Sequence, residues 1–150
     1  MVLVFAAVWL WIGASALPMP WSAIAGAVGA LGLAAIGWRV LRGWYPTGGR
    51  RFDRTRFRIT VALEIAAGLF AGWALGRLGL TAYAWPVIGI IVALHFIGLW
   101  WATHDPRFLA LTLAMLAVNV VALFFPPGAA MLAISGLGSS AALMAAMVRR

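Results

Sequence analysis

The sequence has no cysteine and no lysine, and its only acids are Asp53, Glu64 and Asp105. Without cysteine there is no disulfide, no thiolate metal site and no cysteine nucleophile. Histidine is almost as scarce, present only as His95 and His104. A metal site needs three or four converging ligands, and these few acids and imidazoles are dispersed along the chain. A haem held by both histidines within one subunit is excluded as well. On a helix their spacing is about 13 Å along the axis. No Ser-His-Asp spacing is evident, so no catalytic residue is assigned and no cofactor is expected.

Charge of either sign is rare. Charged residues make up 9 % of the 150 and hydrophobic ones 65 %, with a mean hydropathy of +1.04. A soluble domain carries about 25 % charged residues. A chain this short cannot hide so much apolar surface in a water-soluble core, and lipid is its natural solvent. Length suggests one domain, 1–150. The formal net charge of +8 does not imply a nucleic-acid partner, because the arginines flank apolar segments, where they set topology.

Six apolar segments follow one another, at 2–17, 21–38, 59–80, 85–102, 108–125 and 129–148, and predict an all-α polytopic bundle. The first contains Ala14-Ser15-Ala16, a small-x-small sequence like a signal-peptide cleavage site, but no basic region precedes it. It reads as a short first helix, near the lower limit of about 17 residues for a span. A five-span arrangement with that segment interfacial is the second choice. Pro18 and Pro20 end the segment, since proline lacks an amide donor and restricts its predecessor. Trp21 and Trp38 bracket the next one, where indoles favour the membrane interface. Pro86 suits the first turn of the fourth helix.

The basic loop 39–58 holds Arg39, Arg42, Arg50, Arg51, Arg54, Arg56 and Arg58 against the single acid Asp53. A short loop this basic stays cytoplasmic by the positive-inside rule. Both termini and the 103–107 turn are then inside too, leaving Arg77 alone on the outer side. Arg50, Arg51, Arg54, Arg56 and Arg58 are candidates for contact with anionic lipid head groups. Gly48-Gly49 ahead of Arg50-Arg51 lacks the GK[ST] ending of a phosphate loop. His104 and Asp105 read as a solvated turn.

The polar residues inside the spans are the candidate site. Charged residues within a membrane are costly and often mark ion or proton pathways. From the cytoplasmic side, the helical rise puts Glu64 about 9 Å in, His95 about 12 Å, Thr112 about 8 Å and Asn119 about 18 Å. Glu64, His95 and Thr112, with Asn119 above them, thus form a candidate proton or substrate pathway. The competing reading is that Glu64 and His95 bond across two helices and set their register. For Asn119, and for Ser135, Ser139 and Ser140, interhelical hydrogen bonding is the simpler role. Small-residue stripes at steps of four, Ser22-Gly26-Ala30-Ala34 and Gly68-Gly72-Gly76, offer faces for close helix packing. One of them is expected to serve a homo-oligomer.

Glu64, Pro86 and the run Ala93-Leu94-His95-Phe96, downstream of the arginine-rich loop, carry a resemblance. From Arg50 to about Ala122 the chain resembles a group of small, uncharacterised bacterial integral membrane proteins with an intramembrane Glu and a Gly-Leu-His-Phe motif. Ala93 stands where the group has Gly, and Gly98 where it often has Pro. The resemblance implies a bacterial inner-membrane location and singles out Glu64 and His95, and it implies no activity. Transport or conduction of a small solute or ion, proton-coupled through that pair, is the expected function. The alternatives are a non-catalytic membrane subunit or scaffold, and an integral-membrane enzyme or lipid-handling protein.

Overall fold

The computed structural model describes residues 2–42 and 53–148. They form six α-helices: α1 (Val2–Ser15), α2 (Trp21–Leu41), α3 (Arg54–Arg77), α4 (Ala84–Thr103), α5 (Arg107–Leu123) and α6 (Ala129–Val148). A 3-10 turn, Thr81–Tyr83, leads into α4, and no strand occurs among the described residues. Four helices are long and apolar enough to cross a membrane: α2, α3, α4 with its leading turn, and α6. This suggests a multi-pass membrane protein. The 14 residues of α1 span about 21 Å at the helical rise. That is well short of a hydrocarbon core of about 30 Å. The helix stops at Ser15, two residues earlier than expected, and the Ser15 hydroxyl turns back to the Ile12 carbonyl.

Helix α3 begins five residues before the expected start at 59. Asp53 is the reason. Its carboxylate accepts the backbone N–H groups of Thr55 and Arg56 at 2.9 and 3.0 Å, satisfying two donors that an α-helix leaves orphaned at its start. Arg54, Arg56 and Arg58 are therefore helical residues, not loop residues. At its other end α3 stops in a Schellman motif. Leu80 N–H bonds the Leu75 carbonyl, Gly79 N–H bonds that of Gly76, and Gly79 takes a φ of 68° that only glycine adopts without cost.

Helices α1, α4, α5 and α6 make the central bundle. Its core holds Ala6, Trp9, Phe96, Leu111, Met115 and Leu143, with Phe96 and Phe108 stacked nearly parallel at 6.2 Å. The tightest crossing is α1 on α6. A Cβ on Gly13 or on Gly136 would overlap the other helix's backbone, and Ser140 donates to the Ala6 carbonyl at 2.9 Å. Helix α2 leans on α1 and reaches α6, while α3 packs against α4 and the 3-10 turn.

The glycine stripes anticipated as packing faces are not used that way within the chain. Among the described residues nothing lies within 4 Å of where a Cβ would stand on Gly26, Gly68, Gly72 or Gly76. Gly72 and Gly76 are exposed on α3, whereas Ser22 and Gly26 line an open cleft between α2 and α1 beside Leu10 and Trp11.

Helices in contact along the chain run antiparallel, as paired contacts require: Leu3 and Leu10 meet Gly37 and Gly29, Thr60 and Glu64 meet Gly98 and His95, and Phe96 and Gly89 meet Phe108 and Asn119. One end of the bundle therefore gathers Arg39, Arg42, Arg54, Arg56, Arg58 and Arg107. The opposite end carries Arg77, over the Trp73 ring. The turn at the basic end is not solvated throughout. His104 is exposed and closes α4 in the left-handed region at φ 55°. Asp105 is buried instead. It accepts both the Arg107 backbone N–H at 3.1 Å and the Arg107 guanidinium at 2.7 Å, which fastens the first turn of α5.

Candidate functional site

The site lies between α3 and α4 and starts from a steric fit. Thr60 is the one buried residue of α3, and it faces Gly98 of α4. A Cβ at Gly98 would overlap the Thr60 side chain. The absence of that carbon is what lets the two helices touch here. The Thr60 hydroxyl is returned to the Arg56 carbonyl of its own helix at 2.9 Å, so it brings no unpaired polar group into the contact.

The contact is locked at the basic end. The Asp53 backbone N–H donates to the Ala102 carbonyl at 3.1 Å. Arg56 donates to the Trp101 carbonyl at 3.1 Å, lies over the Trp101 ring at 4.8 Å and pairs with Asp53 at 3.0 Å.

One turn further along both helices sits the ionisable pair. Glu64 is four residues from Thr60 and His95 three from Gly98, so each lies on the contacting face of its helix. His95 Nδ1 and Glu64 Oε2 are 3.0 Å apart, with side chains 10 % and 20 % exposed. The contact is close without being an aligned hydrogen bond.

The pair forms the polar wall of a cleft of about 310 Å³ lined also by Ile59, Leu63, Ala67, Ile91, Leu94 and Trp101. Leu63, Leu94 and Trp101 are 65 %, 49 % and 43 % exposed, so the cleft opens sideways, away from the bundle. Because α3 starts at Arg54, Glu64 lies about 15 Å from the helix start and near the midpoint of its 24 residues. Glu64 is thus further from the start of its helix than a helix starting at 59 implied.

The four residues expected to form one pathway separate into two places. Glu64 and His95 meet. Thr112 and Asn119 do not line their cleft. Thr112 is buried and spends its hydroxyl on the Phe108 carbonyl of its own helix at 2.9 Å. Asn119 is fully buried on the far side of α4, against Gly89. Its carboxamide donates to the Met115 carbonyl at 2.8 Å and to Ser139 Oγ at 2.9 Å, and accepts from Ser135 Oγ at 2.6 Å. The physical reason is angular. Gly89 is six residues before His95, about 120° around the helix at 100° per residue, so depth alone could not bring the two groups together. The Asn119 network ties α5 to α6.

Among the arginines expected at a lipid surface, Arg50 and Arg51 lie outside the described residues. Arg54 and Arg58 are exposed on one face of α3. Arg56 is held by Asp53 and Trp101, as above, and is a clamp between helices. That clamp, together with Thr60 and Gly98, is what the sequence reading missed. Its one legible signal was Asp53, a good N-cap residue two positions before a threonine. Among the described residues no three His, Asp or Glu side chains gather where they could hold a metal ion.

No known protein family, curated protein or solved structure matches the chain, so the reading of the site rests on its geometry.

Proposed function

We propose that this chain is a multi-pass protein of a bacterial inner membrane that moves a small solute or ion, coupled to protons through Glu64 and His95. The observation that carries the reading is the ionisable pair at 3.0 Å in an apolar cleft midway along two long apolar helices. Interhelical polar contacts contribute about 0.6 kcal/mol on average, whereas charged groups at membrane depth are costly. Stability is a weak reason for the pair, and proton exchange is a strong one. The orientation proposed is N-in/C-in. It is supported by the gathering of arginines at one end of the bundle, which the positive-inside rule assigns to the cytoplasm. Arg54 and Arg58 then meet anionic head groups there.

The test is reconstitution into vesicles with a pH-sensitive dye inside and an imposed proton gradient. Wild-type protein should dissipate the gradient faster than empty vesicles. Glu64→Gln should return the rate to that baseline while circular dichroism stays unchanged. A folded Glu64→Gln protein with wild-type flux removes the pair from the mechanism.

A second reading has its own observation. The outward glycines Gly68, Gly72 and Gly76 suit a membrane subunit that packs a further helix against α3. Native mass in lipid nanodiscs separates the readings: a stable dimer or larger assembly that dissociates on Gly72→Leu supports packing through this face, and a monomer at all dilutions rejects it.

A further inference from the structure

Resting on the proton-coupled reading of the Glu64–His95 pair, we infer that the cleft takes a lipophilic monovalent cation, which enters sideways from the membrane and displaces a proton. Besides the pair, every lining side chain among the described residues is apolar except Thr60, whose hydroxyl is already bonded to the Arg56 carbonyl, and Trp101. A bare inorganic ion would find too few oxygen ligands to replace its water. Ca²⁺, for instance, takes about six to eight. An organic body fits better. A volume of about 310 Å³ is at the lower end of small-molecule pockets, which are mostly apolar with a few placed polar groups.

The sign of the ligand follows from the fixed charge. Helix α3 packs against α4 and the turn Thr81–Tyr83. The titratable groups those elements present are His95, His104 and Tyr83. His104 lies at the far end of α4, edge-on to Trp100, and Tyr83 lies at its start. On α3 itself Arg56 is held by Asp53 and Trp101, Arg54 and Arg58 are on the exposed face, and Arg77 is at the opposite end over Trp73. Among the described residues His95 alone of these groups meets Glu64 in the cleft. An apolar cleft disfavours net charge, so the empty pair carries the proton that makes it neutral overall. A monovalent cation seated on the carboxylate supplies the same charge. The proton then leaves from His95, and the site stays neutral. One cation bound exchanges for one proton released.

The way in is set by exposure. Leu63, Leu94 and Trp101 form an exposed lip on the side away from the bundle, while the Asp53–Arg56–Trp101 clamp closes the cleft at the basic end.

The experiment uses the full chain in lipid nanodiscs and two probes: benzyltrimethylammonium, whose charge does not change with pH, and its uncharged carbon isostere neopentylbenzene. Calorimetric titration in two buffers of different ionisation enthalpy counts protons. The cation should bind at least tenfold tighter than the isostere. Its affinity should fall about tenfold per pH unit on acidification, the signature of one proton exchanged per cation. Glu64→Gln discs should show only the partitioning of empty discs. The wild-type pH dependence stands alone if that variant does not fold. Equal binding of the two probes, or a pH-independent affinity for the cation, overturns the inference. Glu64-dependent proton flux without cation binding also overturns it and leaves the proposed function intact. Cation binding with proton release but no flux supports the inference while removing transport.

Discussion

Removing Glu64 and His95 singly and together tests whether the pair acts as a unit. At 3.0 Å two opposite unit charges attract by about 5.5 kcal/mol at an effective dielectric of about 20. Three effects reduce the net value. Both charges lose hydration, the contact is not an aligned hydrogen bond, and the side chains retain some exposure. Measured interhelical contacts reach about 1.7 kcal/mol at most. The expected coupling is therefore about 1–1.7 kcal/mol. Glu64→Gln and His95→Ala each strand the remaining partner in an apolar cleft, so each single change costs more than its share of the pair. The second change in the double variant removes a group already unpaired and costs less than it does alone. Reversible unfolding in mixed micelles, followed by far-ultraviolet circular dichroism, reads the cycle. Additivity within about 0.5 kcal/mol would refute the argument that these groups sense one another.

Two further outcomes follow from the packing and the charge pattern. Gly136→Ala should destabilise the bundle by about 1–3 kcal/mol, because its Cβ overlaps the α1 backbone and that helix must move; Gly72→Ala, with open space around it, should stay within about 0.5 kcal/mol in the same unfolding experiment. Single cysteines placed one at a time at positions 47 to 55 of this cysteine-free chain should react with an impermeant maleimide only from the cytoplasmic face of spheroplasts and inverted vesicles, and labelling from the outer face would invert the proposed topology.

Composition and periodicity determined a good deal. Scarcity of charge and length of apolar runs are enough to specify helices in lipid, because each backbone group there must be bonded within its own segment. The segments 21–38, 85–102 and 129–148 and their helices differ by only a few residues for that reason. The shared depth of Glu64 and His95 was also legible, since helical rise converts sequence distance into height. Rotation was not legible. A helix that is apolar on all sides carries no stripe to say which face turns inward. Hence Gly68, Gly72 and Gly76, the most regular glycine stripe, face away from the bundle, while Gly13, Gly98 and Gly136 make the close contacts. Asn119, expected above the pair, turned to Ser135 and Ser139 instead. Asp105, read as a solvated turn residue, is buried against Arg107. Height along an axis is a local property of the chain. The direction each side chain faces depends on which helices pack together, and that is settled only when the bundle closes.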